Sequence, residues 1–146
     1  DADIQLFNNT SIRDALECMM FDKLDLLTLK LKSTSNNWKS KLAFVSFNIV
    51  NGFMSLFNPF AVGTFFMTRT DKFRELGRFN EEYQHSEDYG LSRKYSTNKF
   101  KIFDHYVGQD DRRFKKMGYT GMIRLMIKSF LNRNNEEYFK KDVGYW

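Results

Sequence analysis

Apolar and polar positions along this chain switch between two periods, and the switches outline its elements. Residues 1–7, DADIQLF, read as the end of a buried strand running into a loop. Asn8-Asn9-Thr10-Ser11 offers N-capping side chains. Ile12, Ala15, Leu16, Met19 and Met20 then recur at helical spacing and predict an amphipathic helix over 11–21. In 24–32, LDLLTLKLK, Leu27, Leu29 and Leu31 alternate with Thr28, Lys30 and Lys32, the period of a half-buried strand. A polar turn over 33–37 follows. The most apolar stretch, 38–57, predicts a helix around 38–51 that breaks near Gly52 and Pro59. Charges are few between Leu42 and Met67, as in a membrane span. Asn48, Asn51, Gly52, Asn58 and Pro59 interrupt it, however, and no clean run of about 18 apolar residues survives. The expected element is a buried or interfacial helix followed by a strand.

Residues 63–68, GTFFMT, read as that strand, and 71–76 as a helical turn closed by Gly77. A loop over 79–82 leads to a helix over 87–97, whose first-turn acids complement its dipole. Residues 99–107 predict a strand, with Phe100, Ile102, Tyr106 and Val107 among its apolar members. A basic loop over 108–118, a second amphipathic helix over 119–133 and a loosely ordered tail over 134–146 complete the pattern. Strands alternating with helices predict an α/β fold, a mixed sheet flanked by helices.

Composition narrows the class. A chain of 146 residues, 42% hydrophobic and 28% charged with one proline, is the size and balance of one globular domain. A single cysteine, Cys18, excludes an intrachain disulfide framework and a Cys-based zinc cluster, and fits a reducing compartment. The net charge of +5 suits a phosphate-bearing ligand, a nucleic acid or an anionic membrane surface. The sixteen phenylalanines fit a large core, a sugar-stacking site or a membrane-facing surface. No basic segment followed by an apolar one marks a signal peptide. A first residue of Asp, with so few strands, predicts a piece of a longer protein.

Three constellations can carry chemistry. Asp1 and Asp3 sit two apart, on one side of a strand, as hard-oxygen ligands for Mg²⁺ or Mn²⁺ or as a solvated acidic turn. Glu87 and Asp88 open a helix after a loop, as dipole partners or as a general base for a hydroxyl nucleophile. Arg112, Arg113, Lys115 and Lys116 form a basic run that fits a diphosphate or a solvated loop. His105 reads as a paired structural histidine and His85 as a loop histidine. Trp38, Trp146 and most of the phenylalanines read as packing residues. The 119–133 helix reads either as docked on the sheet or as lying at a membrane interface.

The order of these phrases resembles the C-terminal part of a family 2-like glycosyltransferase with the GT-A fold. The carriers are DADIQLF, then GTFFMTRTDKFRELGRFNEEYQHSEDYGLSRKY, then DDRRFKKMGY. The resemblance covers roughly 1–118, leaving 119–146 as an amphipathic helix and tail. It departs from the family at Arg78, where a second glycine is usual. The resemblance implies a partial GT-A fold with its N-terminal nucleotide-binding half missing, inactive as an isolated chain. It implies transfer of a sugar from a nucleotide-diphospho-sugar to an acceptor hydroxyl, with inversion, the acceptor being a glycan or a lipid-linked molecule. By position, Asp1 and Asp3 match the metal and donor ligands, with Asp3 the direct one. Asp88, with Glu87 beside it, matches the acceptor base. Gly63, Thr64 and Phe65 match the strand lining the sugar pocket, and Arg112 and Arg113 lie where members place groups near the diphosphate or the acceptor. The expected location is cytoplasmic, either free or at the inner face of the membrane. Two other readings compete. One is a membrane-associated, non-catalytic domain with a degenerate form of this fold. The other is a nucleic-acid module, which the charge and the aromatics favour and which the spread of the cations and the lack of a helix-turn-helix or RNP-like pattern oppose.

Overall fold

The computed structural model describes residues 4–142. Their strands are β1 (Gln5–Leu6), β2 (Leu26–Ser33), β3 (Met67–Thr68) and β4 (Phe100–Gln109). The helices are α1 (Ser11–Phe21), α2 (Trp38–Met54), α3 (Thr70–Glu75), α4 (Glu87–Ser92), α5 (Arg112–Met117), α6 (Tyr119–Leu131) and α7 (Glu136–Phe139). One mixed sheet orders its strands β1-β4-β2-β3. β2 and β4 run parallel, from Leu26 opposite Phe100 to Ser33 opposite Gln109, and the short outer strands pair antiparallel to them. The fold is α/β with a mixed sheet and flanking helices.

β2 is more buried than its alternation predicts. Leu26, Leu27, Thr28 and Leu29 are all buried, because each face of the strand meets its own cluster. Leu27, Leu29 and Leu31 pack with Ala15 and Met19 of α1, Phe44 of α2 and Val107 of β4. Leu26 packs on the other side with Ala61, Leu91 and Tyr95. Thr28 faces that second side, and its hydroxyl donates to the Phe65 carbonyl at 2.7 Å. β1, by contrast, is exposed at the edge of the sheet over its described residues, Gln5–Leu6.

β3 pairs with β2 only at Leu26 and Leu27, so the far half of β2 has no strand on that side. Asn48 of α2 takes the strand's place. The Leu31 N–H donates to Asn48 Oδ1 at 2.9 Å, and Asn48 Nδ2 donates to the Leu31 carbonyl at 2.8 Å. The residue that interrupts the apolar run of α2 thus satisfies both backbone groups of a buried strand residue. Asn48→Ala is expected to cost about 2–4 kcal/mol, since each orphaned buried group costs about 1–3. The check is a lower urea midpoint at an unchanged slope.

Four expected segments differ. Residues 63–66 turn instead of extending. The Phe65 N–H donates to the Val62 carbonyl at 2.9 Å, and only Met67 and Thr68 join the sheet. The helix expected over 87–97 stops at Ser92, whose hydroxyl donates back to the Asp88 carbonyl at 2.6 Å while the next residues form tighter turns. The basic loop contains α5, anchored by the buried Asp111, which accepts from Lys115 at 2.7 Å and from the Ser40 hydroxyl at 2.8 Å. The tail is held down through α7, whose Phe139 is fully buried and stacks on Tyr83 with ring centres 5.3 Å apart. The Arg78 departure leaves the backbone as a glycine would set it, because Gly77 and Arg78 both adopt positive φ (94° and 61°). Of these two, Arg78 is the one whose side chain bears the steric cost of that conformation.

Candidate functional site at the carboxyl ends of the parallel strands

β2 and β4 both end at one edge of the sheet, with Ser33 beside Gln109. Open α/β sheets bind ligands outside the carboxyl ends of their parallel strands. The 63–66 turn and the start of α4 arrive at this edge. The Thr64 hydroxyl donates to Gln109 Oε1 at 3.2 Å, which ties the turn to the end of β4. The Gly63 N–H donates to Asp88 Oδ2 at 2.7 Å, and the Tyr89 N–H to Asp88 Oδ1 at 2.7 Å. Each carboxylate oxygen is therefore fixed by a backbone donor and keeps a further lone pair.

Asp88 is the most perturbed acid at this edge. The residue is partly accessible, yet its carboxylate is crowded enough that desolvation dominates its titration. Burial pushes the pKa up to about 6, against the Gly63 and Tyr89 N–H bonds and the charge of Arg113, which favour the ionised form; the charge of Glu87 adds to the rise. A carboxylate with this pKa is ionised at neutral pH and is a better proton acceptor than an ordinary aspartate. Glu87 is half-buried beside it in the first turn of α4.

Position 63 lies in van der Waals contact with the carboxylate it binds. A β-carbon there would meet Asp88 Oδ2 at 3.4 Å and Asp88 Cγ at 3.8 Å. Gly63→Val is expected to keep the fold but push the carboxylate off its N–H donor. The pKa of Asp88 then rises further, because the bond that favours the ionised form is lost, and a carbon NMR titration of the carboxyl group reads the change. Beside Gly63 opens a shallow cleft lined by Phe66, Thr68, Phe73 and Phe79. The Phe79 ring lies edge-on to both Phe66 and Phe73, with centres 5.2 and 5.3 Å apart.

The structure brings together Gly63, Thr64, Asp88 and Glu87, with the charge of Arg113 acting on Asp88. Arg112 is exposed in the first turn of α5, where its N–H donates to Asp110 Oδ1 at 3.1 Å. Phe65 packs against the main core cluster. His105 is a paired histidine on the α1 side, 3.2 Å from the Ser11 hydroxyl and 3.8 Å from Asp14. Asp1 and Asp3, the expected metal ligands, lie outside the described residues. Among the described residues no three His, Cys, Asp or Glu side chains group to hold a metal ion.

Two parts of the site escaped the sequence reading. Gln109, the partner of Thr64, carries no motif; its position at the end of a parallel strand was the available signal. His85 is not a plain loop histidine. It is fully buried, with Nδ1 3.1 Å from the Ser86 hydroxyl and Nε2 3.3 Å from the Tyr138 carbonyl, and burial lowers its pKa. Ser86 between His85 and α4 sits in the left-handed region at φ 57°. The chain thereby turns from the α7 contact into the helix that carries Asp88.

Comparison with known proteins finds no family model, no curated protein and no solved structure that matches this chain. No helix among the described residues is long and apolar enough to cross a membrane.

Proposed function

We propose that this chain carries the acceptor side of an inverting glycosyltransferase of the GT-A type, with Asp88 as the general base. The observation that carries the reading is the Gly63–Asp88 hydrogen bond. It joins the start of the middle phrase of the resemblance to the acid 25 positions later in the same phrase, at the sheet edge where such folds bind ligands. The ionised Asp88 takes the proton of an acceptor hydroxyl. The hydroxyl oxygen attacks the anomeric carbon of a nucleotide-diphospho-sugar as the bond from that carbon to the diphosphate breaks. The electron pair leaves with the diphosphate, and one displacement inverts the carbon. Arg113, whose charge already reaches Asp88, supplies positive potential toward the departing phosphates. The aromatic cleft beside Gly63 offers ring edges and faces to an acceptor.

The test is acceptor-dependent release of nucleoside diphosphate by the native protein from a panel of UDP-, GDP- and dTDP-sugars, with an extract of the source cells as acceptor. Release from one donor class supports the reading. Absence of release from every donor counts against it.

A further inference from the structure

The acid-free parts of the chain also carry exposed apolar faces. No Asp or Glu occurs between Asp25 and Asp71, or between Asp111 and Glu136. α2 lies in the first stretch and α6 in the second. α2 turns Phe44 and Asn51 into the protein and leaves Leu42, Val45, Ile49 and Phe53 exposed in one row. α6 buries Leu125 and Ser129 and leaves Ile123, Ile127 and Leu131 at 57%, 54% and 68% exposure. Arg124 and Lys128 form the neighbouring exposed row of α6, and Lys39 and Lys41 flank the start of α2. The two helices begin side by side. Asn37 Nδ2 donates to the Tyr119 hydroxyl at 3.2 Å, Ser40 Oγ lies 3.0 Å from the same hydroxyl, and Phe114 packs between Phe44 and Tyr119.

We propose that the exposed faces of α2 and α6 form a peripheral docking surface for an anionic lipid bilayer. Apolar rows beside cationic rows are the composition of a helix lying in the headgroup region. Neither helix is of the kind that spans. Charge decides between a bilayer and a second copy of the chain. An isologous contact sets a face against itself, so the Arg124 and Lys128 cations of both copies would enter one seam with no acid on α2 or α6 to offset them. Lipid phosphates offset them directly. The proposal stands on this surface alone and does not need Asp88 to be a base.

The experiment is flotation of the native protein, without any sugar donor, with vesicles of phosphatidylcholine or of equal parts phosphatidylcholine and phosphatidylglycerol. The expected result is binding at least about tenfold stronger to the anionic vesicles, falling as salt rises. The double variant Arg124→Glu/Lys128→Glu should lose at least about tenfold of that binding. Ile49→Ser and Ile127→Ser should weaken it with an unchanged circular dichroism spectrum, since both positions are already exposed. Equal binding to both vesicles, or none to either at low salt, overturns the proposal. So does a dimer in gel filtration that Ile127→Ser dissolves in a chain that ignores vesicles.

Discussion

Asp88→Asn is expected to lower sugar transfer by about 10²–10⁴-fold, the usual contribution of a positioned general base. The fold should survive. The asparagine keeps one acceptor oxygen for the two backbone N–H groups that Asp88 now holds, and it removes a poorly solvated charge. These two changes oppose each other, so lost transfer would not be lost structure. The wild-type rate should rise with pH through about 6, where Asp88 ionises, and level off above it. The variant should lose that limb. Stability should show the opposite slope from this group. The folded pKa of about 6 exceeds the ordinary 3.8, so the folded state holds the proton more tightly. The contribution of Asp88 is most favourable below about 4 and declines as pH rises toward 6. A pH–rate profile and a pH series of urea melts read the two effects separately.

Phe139→Ala is expected to cost about 3–5 kcal/mol, the range for emptying a fully buried aromatic site. Its ring fills the space between Tyr83 and His85, with centres 5.3 and 5.6 Å away. Its carbonyl accepts the Gln84 N–H at 2.8 Å, and Lys140 next to it pairs with Glu82 at 2.8 Å. α7 therefore clamps the loop that leads into α4 and Asp88. Loss of the clamp should appear as fast hydrogen exchange at the Gln84 amide and as hydration of His85. Burial now holds the His85 pKa below its ordinary 6.5, so the folded state takes up a proton less readily than the unfolded one. The stability from this histidine is complete above about 6.5 and is lost as pH falls below it. In Phe139→Ala the imidazole should titrate closer to 6.5, which NMR of the ring protons measures directly.

These two effects sit at opposite ends of what the amino-acid pattern disclosed. α1, α2, α6 and β4 were legible because long, strongly periodic segments leave one choice of period. β2 was legible as a strand, but its double burial was not, because Thr28 satisfies its hydroxyl on the Phe65 carbonyl and so passes for a solvent-facing position. α5 and α7 are six and four residues long, too short for periodicity to separate them from loops. Asn48 read as a break in an apolar run because its partner is backbone seventeen residues earlier, which no side-chain pattern records. At the site, Gly63 was named through the resemblance, and Asp88 both through it and as an acid opening a helix. Their contact, and the desolvation that raises Asp88, come from packing of the 63–66 turn onto α4. Gln109 and His85 were passed over because a glutamine at a strand end and a histidine in a loop are common, and only burial and partners mark these two out.

The most direct test of Asp88 as the base of a single displacement is the anomeric configuration of the first-formed product. Transfer from an α-linked nucleotide-diphospho-sugar by the native protein, followed by proton NMR before any equilibration, should show a β-linked sugar in the wild type and negligible product from Asp88→Asn. An α-linked product, or transfer undiminished by Asp88→Asn, would contradict the account.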